Sequence, residues 1–475
     1  VLLALAVLLS PLSRLGIPAV LLFLLVGMLA GSEGIGRIHF EDYSLTFAVG
    51  TVALIAILFD GGLNTPIPTI RRVAGPATAL AVVGVLATAL LVSVSARLLR
   101  LSWGQALLLG AIVSSTDAAA VFSVVAGSGL RIRERVSATV EVESSLNDPM
   151  AVILTTTLTG ELAGSAHPGT RMLVDLAAQI VGGVAIGLVV GLAGRWLLPR
   201  MRRTTPALYP VLTLALALVA FALAGEAHGS GFLAVYLAGV VIGDGHLPYR
   251  AGLLRVHGFL AWGSQTAMFL ALGLLVSPSR LLTVAGTGTA LALLLVLLIR
   301  PLVTVGFLAP FRYSLRESTA IAWLGLRGAV PIVLATFPVM SGAQGADRIF
   351  NLVFFVVVVS ALLQGTTSRA LLRHLRVATH APPEPQAAIE IRSRMPLHEQ
   401  ILAYRVAPAS AVCGARIADV PFPPDAAVVL LVRGEDLLAP KGSTEMLEGD
   451  HVFVFCRPVD ESTFDLLFGK RLEEA

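Results

Sequence analysis

Long apolar runs separated by short polar turns fill residues 1 to 377. A helix needs about 20 apolar residues to cross a bilayer, so the runs predict spans near 1–13, 17–30, 44–63, 73–95, 104–126, 138–160, 173–198, 207–226, 230–243, 257–277, 281–308, 317–340 and 348–370. The chain opens on Val1 within an apolar run that lacks a clear cleavable signal, and the first span is expected to be incomplete. Two spans read as interrupted. SSTDAAA (114–120) puts hydroxyls and an acid in mid-helix, where they compete for backbone hydrogen bonds. GLRGAVPIV (325–333) puts two glycines, an arginine and a proline at similar depth. After residue 377 the pattern changes. ATHAPPEPQAA (378–388) has linker composition, and residues 389–475 hold short β-runs (ILAYRV, AVVLLVR, HVFVFC) before a last helix near 460–469. The expected fold is an all-α polytopic membrane protein of about thirteen transmembrane helices, with a small α/β domain at its C-terminal end. Interrupted helices in opposite halves point to inverted repeats with a binding site near the midplane.

Composition agrees with the pattern: 56% of the 475 residues are hydrophobic, 13% are charged, and mean hydropathy is +0.84. The net charge of +4 comes largely from arginines in short loops, which is membrane topology and not a nucleic-acid footprint. With the C-terminus cytoplasmic, the inner loops receive Arg14, Arg71, Arg72, Arg131, Arg133, Arg135, Arg200, Arg202, Arg203, Arg250, Arg255, Arg312 and Arg316. The outer loops then hold only Arg37, Arg97, Arg100, Arg171, Arg280 and Arg348. This bias predicts an N-terminus outside and the C-terminal domain inside the plasma (inner) membrane, with the Arg97/Arg100 pair as the main exception. The two cysteines, Cys413 and Cys456, fall in the C-terminal domain and are expected as free thiols.

The chemistry sits where the apolar pattern is violated. An acid at the centre of a membrane helix costs about 2.5–3.5 kcal/mol, so such residues mark function. Asp60, Asp117, Glu143, Asp148 and Arg327 all lie in predicted spans. Ser144 and Asp148 are four residues apart, sharing a helix face on which a hydroxyl and a carboxylate meet one ion. Glu143 lies about 140° away from Asp148 by the helical repeat and is expected to pair with Arg327. Broken helices leave partial charges at their half-helix ends, which Asp117 and Arg327 have the signs to compensate. A carboxylate withdrawn from water keeps its proton to higher pH, so protons and cations compete for the same oxygens. Asn147 beside Asp148 limits the carrier to one charge. The reading is one monovalent cation exchanged for one proton on Asp148, with Ser144, Thr116, Asn147 and carbonyls of the broken helix supplying further oxygens. No His or Cys cluster suits zinc or copper. The string Gly229-Ser230-Gly231 beside His228 lacks the positioned base of a serine protease. His39, His246 and His257 lie near predicted loop ends and read as ordinary exposed histidines.

Five elements, LFDGGLN (58–64), SSTDAAA, ESSLNDPMAV (143–152), GSGFLAVYLAG (229–239) and GLRGAVPIV, stand in the order found in NhaP-type cation:proton antiporters. The chain resembles their potassium/proton, cell-volume-regulation branch, which carries a TrkA-C (RCK-C) tail; SAVCGARIADV, VRGEDLLAPKGST and LEGDHVFVF resemble that tail. The resemblance implies two unwound crossing helices, a dimerisation domain beside a core domain, and an elevator-like movement. It implies that Asp148 carries potassium or sodium with help from Ser144 and Thr116, and that Glu143 and Arg327 form a buried ion pair. Asp60 stands where some members have a longer glutamate, which leaves its share in the ion site open, and Ala118 stands where many have proline. The implied partners are a second copy of the chain and the lipid bilayer, with no nucleic acid, and no cofactor is implied beyond the transported ions. Some TrkA-C domains bind a small regulator, including cyclic dinucleotides, and the sequence does not name one for this tail. The domains are read as 1–377 for transport, 378–388 as linker and 389–475 as the cytosolic tail. A TrkA-C-gated cation channel is the alternative, but no repeated loop suited to a selectivity filter is evident.

Overall fold

The structure is a computed structural model that describes residues 19–40, 42–126, 130–162, 170–201, 205–245, 247–380, 400–408, 410–434 and 436–469. The expected span at 1–13, most of the expected linker and His246 lie outside them. The chain divides into two compact units, Val1–Thr379 and His380–Ala475.

The first unit is helical. Its elements are α1 (Ala19–Ala30), α2 (Tyr43–Asn64), α3 (Ile67–Leu98), α4 (Trp103–Ile112), α5 (Ala118–Ala126), α6 (Glu134–Leu162) and α7 (Thr170–Leu197). They continue as α8 (Leu208–Glu226), α9 (Gly231–Gly243), α10 (Arg250–Leu275), α11 (Pro278–Phe311), α12 (Leu315–Leu324), α13 (Ala329–Met340) and α14 (Ala346–Leu375). Every expected span from 17–30 onward has helix at its place. By length and composition alone, seven helices among the described residues can cross a membrane, or eight if the bent pair α12/α13 counts as one span. The difference from thirteen has physical causes. Helices α1 and α9 have only 12 and 13 residues. The fifth span is split into α4 and α5, and α6 carries Glu141, Glu143 and Asp148 along its length.

Both interrupted spans occur where the sequence predicts them, and both open on a capping box: Ser102 with Gln105 for α4, Ser314 with Glu317 for α12. The second pair bends by 50° at its break. Ser230, the discounted nucleophile, caps the start of α9 by accepting from the Leu233 N–H. Helices α2 and α9 cross on glycines; a Cβ on Gly62 would lie 2.4 Å from the Tyr236 carbonyl oxygen, and one on Gly239 2.7 Å from that of Phe59. This close approach seats Tyr236 against the end of α2. In α11 a π-helical stretch, Leu295–Ile299, precedes Arg300-Pro301, where Pro301 has no N–H for the helical ladder.

His257 departs from expectation. It lies within α10, is 1% exposed, shares a 2.8 Å hydrogen bond with the Thr213 hydroxyl and packs edge-on to Phe59. Helix α10 begins at Arg250, well before the predicted span at 257, and this draws the histidine inside. His39 is exposed.

After α14, a short strand, β2 (Ala378–His380), pairs with β1 (Leu130–Ile132). The second unit holds a sheet of strands β3 (Gln400–Arg405), β4 (Ala427–Arg433), β5 (Asp436–Leu438) and β6 (His451–Cys456), in the order β3-β6-β4-β5 and antiparallel throughout. Helix α15 (Glu461–Phe468) sets Phe464 and Phe468 against Tyr404 in a core of its own. The Tyr404 hydroxyl donates to Asp465 at 2.8 Å. Both cysteines are free thiols.

Candidate ion-binding site

The two breaks lie against each other, joined by the Asp117 N–H donating to the Leu326 carbonyl at 2.8 Å. Four half-helix ends therefore meet at one place, and each kind of end has a side chain of opposite sign. Arg327 serves the carboxyl ends of α4 and α12: its Nε donates to the Val113 carbonyl at 3.0 Å and its Nη1 to the Gly325 carbonyl. Asp117 stands at the amino ends of α5 and α13. Its Oδ1 accepts from the Ala120 N–H at 3.1 Å, and a Cβ on Gly328, the residue preceding α13, would fall 1.9 Å from its Oδ2.

The expected pairing of Glu143 with Arg327 is not found. Glu143 is held by Arg300, with a 2.7 Å contact from Nη1 to Oε1 and a 2.9 Å hydrogen bond from Nη2 to Oε2. Both residues are buried. Arg327 spends Nε and Nη1 on the two carbonyls while its Nη2 stays buried without a hydrogen bond, and the carboxylate is held by a third element. Arg300 went unnoticed because it sits inside the apolar run predicted at 281–308. The rule that flagged Glu143, a charge within a span, applies equally to it. Gly325 makes the reach possible, since a Cβ there would lie 2.6 Å from Arg300 Nε.

Helix α6 braces the first break with two side chains. Ser144 Oγ donates to the Thr116 carbonyl at 2.8 Å and accepts from the Ala118 N–H at 3.1 Å. Asn147 Nδ2 donates to Thr116 Oγ1 at 2.7 Å, and its Oδ1 accepts from the Thr116 N–H at 3.4 Å. The backbone groups freed by unwinding thus find partners on α6, and Thr116 and Ser144 each keep a hydroxyl lone pair. One turn beyond Ser144, Asp148 has an oxygen, Oδ1, that is buried and accepts no hydrogen bond. Asp117 is its electrostatic neighbour. Positions 141, 145, 148, 152 and 156 of α6 are all partly exposed, at spacings of four, three, four and four. That is one helix face, a partly exposed strip that runs past Asp148. The structure thus brings together Thr116, Asp117, Ser144, Asn147 and Asp148. The hydrogen bonds of Asp60 are to Asn64 within α2, whose Nδ2 donates to its carbonyl at 2.9 Å and to its Oδ1 at 3.1 Å.

Crossed broken helices with balanced ends, beside a buried carboxylate, are the arrangement of a secondary transporter of ions. Residues 1–374 match the family described as sodium/hydrogen exchanger, transmembrane, and residues 401–469 match the TrkA-C domain. The chain belongs to the sodium/hydrogen exchanger family: it is a membrane cation/proton antiporter with a TrkA-C domain, and not an enzyme. Among similar proteins, the K(+)/H(+) antiporter NhaP2 of Shewanella oneidensis is 40% identical over 99% of this chain and 82% of its own length. The K(+)/H(+) antiporter NhaP of Alkalimonas amylolytica is 38% identical over 94% and 78%. The Na(+)/H(+) antiporter NhaP of Pseudomonas aeruginosa is 30% identical over 72% and 83%. The fold is similar to that of the sodium proton antiporter MjNhaP1 from Methanocaldococcus jannaschii, with TM-score 0.68, 24% identity, and coverage of 77% of this chain and 97% of that one.

Proposed function

We propose that the protein exchanges one potassium ion for one proton on Asp148, without net charge movement. The observation that carries this reading is the buried, unpartnered Oδ1 of Asp148 on the partly exposed strip of α6, beside the break braced by Ser144, Asn147 and Thr116. Proton and cation compete for the same oxygen, and either neutralises the carboxylate. Thr116 and Ser144 add hydroxyl oxygens; Asn147 positions Thr116. Asp117 and Arg327 hold the half-helix ends and the Glu143–Arg300 pair secures α6 to α11, so the crossed helices and α6 move as one body in an elevator-like alternation. The choice of potassium is supported by relatives of about 40% identity named K(+)/H(+) antiporters, against the 30% of the relative named for sodium. The working form is a homodimer in the plasma membrane, N-terminus outside, with a cytoplasmic TrkA-C domain, residues 389–475, that regulates exchange.

The test is proton flux in proteoliposomes under imposed potassium or sodium gradients, with voltage clamped and unclamped, for wild type and Asp148→Asn. Exchange that ignores voltage, prefers potassium and vanishes in the variant is expected. Flux that survives in Asp148→Asn removes the carrier assignment, and voltage-driven conduction brings forward a TrkA-C-gated channel.

A further inference from the structure

A second polar cluster lies on the same face of α6 as Asp148, and the exchange scheme leaves it unused. Glu141 and Asp148 are seven residues apart, nearly in line on the helix and about 10 Å apart along its axis. Glu141 is half-buried. It accepts from Thr65 Oγ1 at 3.3 Å, but that hydroxyl has a shorter bond, 2.6 Å, to the Gly61 carbonyl. A hydroxyl has one proton to give. The carboxylate is therefore weakly compensated in a place where water is scarce.

Tyr236 completes the cluster from α9. Its side chain is 1% exposed, and its Oη makes no hydrogen bond of ordinary geometry. The hydroxyls of Ser145 and Thr65 lie within loose hydrogen-bonding reach of it, and the carboxylate of Glu141 is its electrostatic neighbour. A buried hydroxyl without a well-formed hydrogen bond is costly, and folded proteins seldom leave one unless something else fills the place. The set is then one carboxylate and three hydroxyls. These are hard oxygen donors with a single negative charge, which suits an alkali cation better than a divalent or a soft metal.

We propose that Glu141, Thr65, Ser145 and Tyr236 form a second monovalent-cation site, a staging position from which the ion passes along the partly exposed strip of α6 to Asp148. The proposal rests on the reading of Asp148 as carrier. Equilibrium binding of radiolabelled rubidium to the purified full chain in detergent separates the two. Wild type is expected to bind two ions per protomer, Asp148→Asn one, and the Asp148→Asn/Glu141→Gln double variant none. In proteoliposomes, Glu141→Gln is expected to raise half-saturating potassium about tenfold, and Tyr236→Phe, which removes one oxygen and keeps the ring, about threefold. Absence of rubidium from Asp148→Asn, together with unshifted half-saturation in Tyr236→Phe, overturns the staging site. Exchange persisting in Asp148→Asn overturns the carrier reading instead, whatever the rubidium count. If Glu141→Gln fails to elute as a folded species, Tyr236→Phe decides alone.

Discussion

Two carboxylates two turns or less apart on α6 meet opposite fates, and the difference lies in their partners. Glu143 is buried against Arg300, charge to charge. Removing one member of such a pair leaves the other charged and dry, which typically costs about 3–5 kcal/mol, whereas removing both costs far less. Arg300→Met is therefore expected to lower thermal stability in detergent by an amount of that order, and Glu143→Gln/Arg300→Met to recover most of it; a double variant as unstable as the single would remove the pair from its structural role. Asp148 has no such partner on Oδ1, and this leaves the oxygen available to an ion.

At the scale of elements, the crossing works because each half-helix end is matched by a side chain from elsewhere. Gly328 is the tightest point, since any Cβ there collides with Asp117. Gly328→Ala is expected to abolish exchange and lower the melting temperature, while Ala118→Gly, on the opposite side of the crossing, is expected to be milder; equal exchange by Gly328→Ala and wild type would show that Asp117 does not need its seat. Much of this level was legible in the chain. SSTDAAA and GLRGAVPIV announce breaks because hydroxyls, glycines and proline weaken a helix locally, and local effects are readable from neighbours in sequence. The partner of Glu143 was not legible, because Arg300 and Arg327 both lie inside apolar spans and spacing along the chain does not say which crosses space to reach it. Nothing in the sequence singles out Tyr236 within GSGFLAVYLAG, and its poorly satisfied hydroxyl emerges only from the packing of α9 on α2. The short strand β5 and the burial of His257 were likewise set by tertiary neighbours.

At the scale of the molecule, the tail carries its own sensitivity to acid. His451 faces Arg405 directly across the β3–β6 pair. Burial first, then Arg405, hold its pKa below the ordinary histidine value of 6.5, with Asp450 opposing. The unfolded tail therefore takes up a proton that the folded tail resists, so stability present above that ordinary value is lost as pH falls through the lowered one. The melting temperature of the isolated tail is expected to fall from pH 7.5 to 5.5, and His451→Gln to flatten that profile; an unchanged slope in the variant would assign the effect to another group. Within the membrane unit, the partly exposed face of α6 has a practical consequence. The 475 residues contain just two cysteines, both in the tail and one of them buried, so the helical unit has no thiol of its own. A single cysteine placed at Val152, on the strip, should react with a water-soluble thiol reagent, while one at the neighbouring buried Ala151 should stay silent. Added potassium should slow the reaction at position 152 if ions and reagent travel the same corridor, making the path of the cargo readable one side chain at a time.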